Sequence, residues 1–146
     1  MTKILSKSGR PYLAISVEKE NLNPYLEKLY NIEKEQFLYL TKNQRDRDRG
    51  EFHITVVGPR EYKEIFESQS KLIVNGLYNQ NVSYCFIGLG FANLDKKRSY
   101  FVIVESDELM KIRNVFGLPK KDFHVTLGFN DVDLQGVRKD RATLLR

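Results

Sequence analysis

Hydrophobic and polar residues alternate along the chain with two different periods, and the changes between them predict the order of strands and helices. Residues 11–18 alternate with period two and are rich in β-branched side chains, which predicts a strand. Asn23 and Pro24 are typical of an N-cap and a first helical residue, and apolar residues at helical spacing extend this helix to about Leu40. We interpret the dense charges of residues 41–50 as a solvated loop without a chemical role.

The remainder of the chain continues the alternation of strands and helices. The predicted elements are, in order, strand 51–58, helix 60–77, strand 82–94, strand 99–106, helix 107–116 and strand 121–129. Glycines in the longest of these strands indicate a bulge or a bend. Ser106 or Asp107 is expected to cap the shorter helix, and Gly117 is expected to end it.

The two halves of the chain correspond in their order of elements. A strand, a helix and the strand "FHITVVG" in the first half parallel a strand, a helix and the strand "FHVTLGF" in the second. Tyr12 and Tyr100 stand at similar positions in the two leading strands. The match is short and its intervals differ, so it suggests an ancient duplication without proving one.

The chain has only two histidines, and each is followed two residues later by a threonine. His53 with Thr55 and His124 with Thr126 lie 71 positions apart, each pair after a phenylalanine. Only five threonines occur in 146 residues, so this repeat is improbable by chance. Because residues i and i+2 of a strand point to the same face, each strand presents one imidazole and one hydroxyl together.

Two imidazoles and two hydroxyls suit chemistry at a phosphate group. One imidazole can act as a base and the other as an acid near neutral pH, and the hydroxyls can donate hydrogen bonds to phosphoryl oxygens. An in-line attack on phosphorus needs this arrangement of base, acid and donors. The sequence offers no obvious carboxylate-rich metal site, so we expect neither a metal nor another cofactor.

Two His-x-Thr motifs in strands half a small protein apart resemble the 2H phosphoesterase superfamily, which includes RNA ligase-like 2′,3′-cyclic phosphodiesterases. The resemblance covers most of the chain. It implies an α+β fold that is bilobal and pseudo-symmetric, with two antiparallel sheets lining a central cleft and helices outside. It assigns catalytic roles to His53, Thr55, His124 and Thr126.

Further residues near the motifs are candidates for substrate binding. They are Tyr12, Arg60, Tyr100, Lys120 and Lys121. The cations would meet a phosphate and the tyrosines would stack on a base, but solvated lysines and core tyrosines are at least as common. In the polar tail, Arg138 and Lys139 are candidates to close over the site.

Length and composition fit a single domain spanning residues 1–146. A net charge of +5 favours a polyanionic partner such as a nucleotide or an RNA end. The single cysteine, Cys85, is expected to be a small buried side chain in a reducing compartment. With neither a signal-peptide pattern nor a membrane-length apolar run, we expect a cytoplasmic protein without membrane contact, and a monomer.

The leading hypothesis from these residues is a metal-independent phosphodiesterase that hydrolyses a 2′,3′-cyclic phosphate or a related 2′–5′ or cyclic oligonucleotide linkage. Either histidine can be the base, depending on the orientation of the substrate. The alternative is a non-catalytic module that binds a nucleotide or an RNA end in the same site. A third possibility is an interaction protein in which the motifs are coincidental.

Overall fold

Two three-stranded antiparallel sheets form the framework of the protein in the computed structural model, which describes residues 2–5, 9–68 and 80–146. The strands are β1 (Thr2–Leu5), β2 (Pro11–Val17), β3 (Phe52–Val57), β4 (Cys85–Leu94), β5 (Lys97–Glu105) and β6 (His124–Phe129). One sheet has the order β1-β2-β3 and the other β4-β5-β6. β1 was not predicted, whereas the α+β class is confirmed.

Helices join the strands and cover the sheets. They are α1 (Asn23–Glu33), α2 (Phe37–Asp48), α3 (Pro59–Ser68) and α4 (Asp107–Val115), with short 3-10 turns at Lys19–Leu22, Lys34–Gln36 and Arg141–Thr143. Ser106 caps α4, its hydroxyl accepting a hydrogen bond from the Leu109 amide, and Gly117 follows the helix at φ 69°. Both ends of α4 are therefore as predicted.

The predicted helix from Asn23 to Leu40 and the predicted loop after it are wrong in their boundaries. Asn23 is the first residue of α1 and not its cap, and Lys34 at φ 41° ends this helix. α2 then runs through the charged segment as far as Asp48. Helical spacing predicts α3, but residues 69–77 of that prediction lie outside the described residues.

The aliphatic residues that alternate with histidine and threonine are buried between sheets and helices. Ile54 and Val56 are fully buried, as are Val125 and Leu127. Burying one such side chain stabilises the fold by about 1.5–3 kcal/mol. Cys85 does not join this core: it is exposed at the start of β4, so its predicted burial is wrong. No helix in the described ranges has the length and apolarity that crossing a membrane requires.

The two His-x-Thr strands share one irregularity of register. Ser16 pairs with His53 and Ala14 with Thr55, after which the pairing slips by one residue. In the second sheet, β5 pairs in the same way with His124 and Thr126 and slips at the equivalent point. A β-bulge of this kind leaves one residue unpaired and increases the local twist. The matched bulges support the predicted correspondence, while the bilobal pseudo-symmetry stays a prediction.

The pairing of the strands shows that the predicted equivalence of Tyr12 and Tyr100 is wrong. Leu13 is paired just beyond the first bulge and Tyr100 just beyond the second, so Tyr100 corresponds to Leu13 and not to Tyr12. Neighbouring residues of a strand point to opposite faces. Tyr12 therefore shares the face of His53, whereas Tyr100 points into the core, where its hydroxyl donates to Oε1 of Glu33 at 2.7 Å.

Close contact between α2 and β6 positions α2 against the second sheet. A Cβ atom on Gly128 would lie 3.0 Å from the carbonyl carbon of Leu40, so the absence of a side chain lets the helix approach the strand. Asn43 fixes the same contact, because its amide donates to the carbonyls of Phe129 and Asn130 at 2.8 and 3.0 Å. The last turn of α2 is thereby held beside the His-x-Thr strands.

Arg113 joins α4 to the first sheet and to the loop that precedes β6. Its guanidinium is almost fully buried and pairs with Glu61 at 2.8 Å. It also donates to the carbonyl oxygens of Val56 and Pro119 at 2.8 and 2.7 Å. Val56 is the residue at the bulge of β3, so this one side chain connects both His-x-Thr segments.

Candidate active site

Both His-x-Thr pairs line one cavity of about 550 Å³. β3 and β6 belong to different sheets but contact each other, which brings the two pairs together. The end of α2 and the segment after β6 complete the wall, contributing Arg47, Asp48 and Asp133. The cavity therefore combines two imidazoles and two hydroxyls with charged groups from other parts of the chain.

His124 is held in one tautomer by the backbone. Its Nδ1 lies 2.7 Å from the carbonyl oxygen of Asp122. A carbonyl only accepts hydrogen bonds, so Nδ1 carries the proton and Nε2 carries the lone pair. Nε2 lies 3.4 Å from Nζ of Lys139. Burial, and next the Lys139 ammonium, lower the pKa of His124 to about 3, so the ring is neutral at physiological pH.

His53 contacts the hydroxyl of Tyr12, and the carboxylates of Asp48, Asp133 and Glu51 favour its protonated form. Its Nε2 lies 3.3 Å from the Tyr12 hydroxyl oxygen, and the two rings are tilted at 52°. Burial lowers the pKa of His53, Asp48 acts to raise it, and Arg47 acts to lower it. The two histidines thus differ: an ammonium faces His124, whereas a phenol contacts His53.

The two threonines also differ. The Thr126 hydroxyl is buried and donates to Oδ2 of Asp133 at 3.0 Å. Thr55 lines the cavity, and its hydroxyl makes no hydrogen bond to any of the residues that the structure describes. A ligand in the cavity therefore meets a free donor at Thr55 and an already engaged one at Thr126.

Asp133 is the centre of a charge network around Thr126. Its carboxylate pairs with the guanidinium of Arg47, while its other oxygen lies 3.3 Å from Nζ of Lys139. Arg47 also binds Asp48 through two hydrogen bonds of 2.9 and 2.8 Å. Burial acts to raise the pKa of Asp133, but Lys139 and Arg47 lower it to about 2, so this carboxylate stays ionised.

Two of the five predicted substrate-binding residues lie at the cavity. Tyr12 lines it beside His53, and so does Lys121, whose ammonium has no ion-pair partner within the described ranges. Burial lowers the pKa of Lys121. Arg60 and Lys120 are exposed and do not line the cavity, and Tyr100 lies in the core.

Sequence reasoning missed the contribution of α2. Arg47 and Asp48 come from the segment that we interpreted as a solvated loop, and that interpretation is wrong for both. Their alternating charges gave no signal, since such runs usually cover an exposed face. Asp133 was missed too, although it lies seven residues beyond Thr126. Of the two tail cations, Lys139 reaches His124, whereas Arg138 is exposed and pairs with Asp140.

Carboxylates also line the cavity. Asp48, Glu51 and Asp133 all line it. Two of these carboxylates are neutralised by Arg47 and Lys139. No group of three or more His, Cys, Asp or Glu side chains within the described ranges is arranged to hold a metal ion.

Comparison with known proteins identifies the family. Searches of curated proteins and of solved structures give no match. A family model described as "Swiss Army Knife, 2H phosphoesterase domain" matches residues 16–135, which include both His-x-Thr pairs, the end of α2 and Asp133. The match spans most of the chain, and the protein therefore belongs to the Swiss Army Knife family of 2H phosphoesterase domains.

Proposed function

We propose that the protein is a metal-independent phosphodiesterase acting on a 2′,3′-cyclic phosphate or a related 2′–5′ or cyclic oligonucleotide linkage. The observation that carries this proposal is the meeting of both His-x-Thr pairs in one cavity. Membership of a 2H phosphoesterase family supports chemistry at a phosphodiester bond. The cavity is large enough for a nucleotide, because small-molecule sites typically measure about 300–1,000 Å³.

In this proposal His124 is the base and His53 is the acid. Nε2 of His124 carries a lone pair, because Nδ1 is protonated and bound to the Asp122 carbonyl. Nε2 takes a proton from water, the water oxygen forms a bond to phosphorus, and the bond to one ribose oxygen breaks. His53 donates a proton to that oxygen, which leaves a ribose 2′- or 3′-phosphomonoester. The anionic substrate raises the pKa of His53 and supports its protonated form.

The hydroxyl and ammonium groups of the cavity bind the phosphoryl oxygens in different ways. Thr55 has a free hydroxyl that donates directly. Thr126 donates to Asp133 in the free protein, so its O–H must rotate before it can donate to a substrate. Lys121 has no ion-pair partner within the described ranges and supplies a positive charge, while Tyr12 offers a ring against which a base can stack.

A product-resolved activity screen tests the proposal. Wild-type protein is incubated in EDTA with 2′,3′-cyclic mononucleotides, RNA ends carrying a cyclic phosphate, and cyclic or 2′–5′ linked oligonucleotides. Chromatography then separates 2′- from 3′-phosphate products. The proposal expects turnover of at least one class in the presence of chelator, and none by a variant that lacks both histidines. Nucleotide binding by calorimetry without any product would instead identify a non-catalytic binding module.

A further inference from the structure

The tail of the chain beyond the family match brings Lys139 against His124 and Asp133, which line the cavity, although Lys139 does not line it itself. The match ends at residue 135, and residues 136–146 fold back over the second sheet. Leu144 forms a β-bridge with Gly90, and the Leu145 amide donates to the Leu89 carbonyl at 2.9 Å. The Lys139 amide donates to Oδ2 of Asp122 at 3.0 Å. The hydrogen bond of the Lys139 amide and the β-bridge near the end of the tail therefore fix the backbone on which Lys139 lies.

The ammonium of Lys139 is buried against the candidate base. Its side chain is 4% exposed. Nζ lies 3.3 Å from Oδ1 of Asp133 and 3.4 Å from Nε2 of His124, and it lies 5.4 Å from the centre of the Phe101 ring. An ammonium has three N–H donors, and the two polar contacts account for two of them. The third N–H of Lys139 therefore has no hydrogen-bond acceptor among the described residues.

Neutralising Asp133 does not by itself explain this placement. Asp133 already pairs with Arg47, and burying a lysine costs several kcal/mol unless its charge is compensated. The position of the Lys139 ammonium also disfavours the protonated form of His124, because a neighbouring cation opposes protonation of the ring. The charged groups that face His124 are Lys139 and Lys121, which oppose its protonation, and Asp133, which favours it, as does the Asp122 carbonyl.

We propose that Lys139 is a third catalytic group, whose ammonium occupies Nε2 of His124 in the free protein and moves to a phosphoryl oxygen when substrate binds. This rests on the proposed phosphodiesterase function. The move releases the lone pair of His124 for water at the moment when a phosphate is present. The ammonium then stabilises the charge that develops on phosphorus as the water attacks.

Kinetics of three variants test this role. Lys139→Met keeps the length of the side chain but removes the charge, Lys139→Arg keeps the charge, and Arg138→Met is the matched control on the exposed neighbour. Loss of one donor to a developing oxyanion typically lowers kcat about 10²–10³-fold. We expect a loss of this size in Lys139→Met, partial recovery in Lys139→Arg, and kcat within about twofold of wild type in Arg138→Met. A kcat for Lys139→Met equal to wild type would overturn the proposal.

Phosphate binding separates this role from mere structural support and from the phosphodiesterase function, and the pKa of His124 tests the contact on which the role depends. With only two histidines, NMR titration identifies His124 readily, and its pKa should rise in Lys139→Met because a nearby cation is lost. Inorganic phosphate should bind at least about tenfold more weakly to this variant. If wild type hydrolyses nothing yet both effects appear, the phosphodiesterase function fails while the contact of Lys139 with phosphate stands. Unchanged phosphate binding and an unchanged His124 pKa would overturn the role of Lys139, whatever the stability of the variant.

A wild-type experiment covers the case in which Lys139→Met does not fold. Crystals of wild-type protein soaked in inorganic phosphate would show where Nζ lies. The proposal expects Nζ within hydrogen-bond distance of a phosphate oxygen and away from Nε2 of His124. Phosphate bound beside His124 with Nζ still on Nε2 would contradict it, and so would a cavity that stays empty of phosphate.

Discussion

Replacing the buried Asp133 by asparagine should lower the free energy of unfolding more than a conservative substitution of an exposed residue does. The variant keeps the shape of the side chain and an oxygen that can accept from Thr126. It removes the only negative charge within 4 Å of Nζ of Lys139 among the described residues. Arg47 keeps its second partner, Asp48, so the uncompensated charge is mainly that of Lys139.

The structure gives a magnitude for this change. The pKa of Asp133 falls from 3.8 to about 2, which corresponds to about 2.5 kcal/mol of interaction with its charged form. Leaving a buried partner uncompensated adds to this, and removal of one member of a buried pair typically costs about 3–5 kcal/mol. We expect a loss in this range, which lowers Tm by roughly 6–20 °C in a protein of this size.

Chemical denaturation of four proteins measures the effect and isolates its cause. They are Asp133→Asn, Lys139→Met, the double variant and Asp131→Asn, whose exposed side chain makes it the matched control. The control should stay within about 0.5 kcal/mol of wild type. The double variant should be more stable than the sum of the two single effects predicts, by about 0.5–3 kcal/mol. A loss below 1 kcal/mol in Asp133→Asn, or strict additivity, would refute the reasoning.

Three further predictions concern pH and packing. Because the pKa of Asp133 is lower in the folded state, its ionised carboxylate contributes to the free energy of unfolding above about pH 4, and this contribution is lost as the pH falls through 2. Between pH 4 and pH 2, wild type should therefore lose about 2.5 kcal/mol more of its free energy of unfolding than Asp133→Asn does. Urea denaturation at each pH measures this difference. Gly128→Ala should cost about 1–3 kcal/mol and weaken activity, because the new Cβ meets the backbone of Leu40; an unchanged Tm would contradict this contact. Arg113→Met should cost about 3–5 kcal/mol by leaving Glu61 unpaired, and a second change, Glu61→Gln, should recover part of the loss; the absence of any recovery would count against the buried pair.

The part of the site that lies on strands could be predicted from the sequence. A strand has a period of two, so His53 and Thr55 had to share a face wherever the strand lay. The same holds for His124 and Thr126. The repeat also indicated that the two strands are equivalent, and the matched bulges agree with this. Side-chain alternation is a local property, and local properties can be read from one sequence.

Residues that reach the site through tertiary packing could not be predicted in this way. Arg47 lies in a run of charges that resembles a solvated surface, and the packing of α2 against β6, through Gly128 and Asn43, brings it to the cavity. The sequence places Tyr100 and Tyr12 at similar positions in the two leading strands, which predicts that they are equivalent. A difference of one residue in register moves Tyr100 to the opposite face, into the core. Neither the packing of α2 nor the register of the strands changes the hydrophobic periodicity of the sequence.

Lys139 is intermediate between these cases. Its place in the polar tail made it a candidate to close over the site, but the partner of its ammonium depends on how the tail returns over the second sheet. Arg138 beside it has the same charge and makes a surface pair instead. Only the folded structure distinguishes the two neighbours.

The central claim is that two histidines, without a metal, cleave a phosphodiester bond, and hydrolysis by His53→Ala and His124→Ala in EDTA tests it most directly. General acid and base catalysis each contribute about 10²–10⁴-fold, so each variant should lose activity by that factor while wild type retains its rate in chelator. Phosphorus NMR of the products and circular dichroism of the variants complete the measurement. Full activity in either folded variant, or loss of wild-type activity in EDTA, would contradict the account.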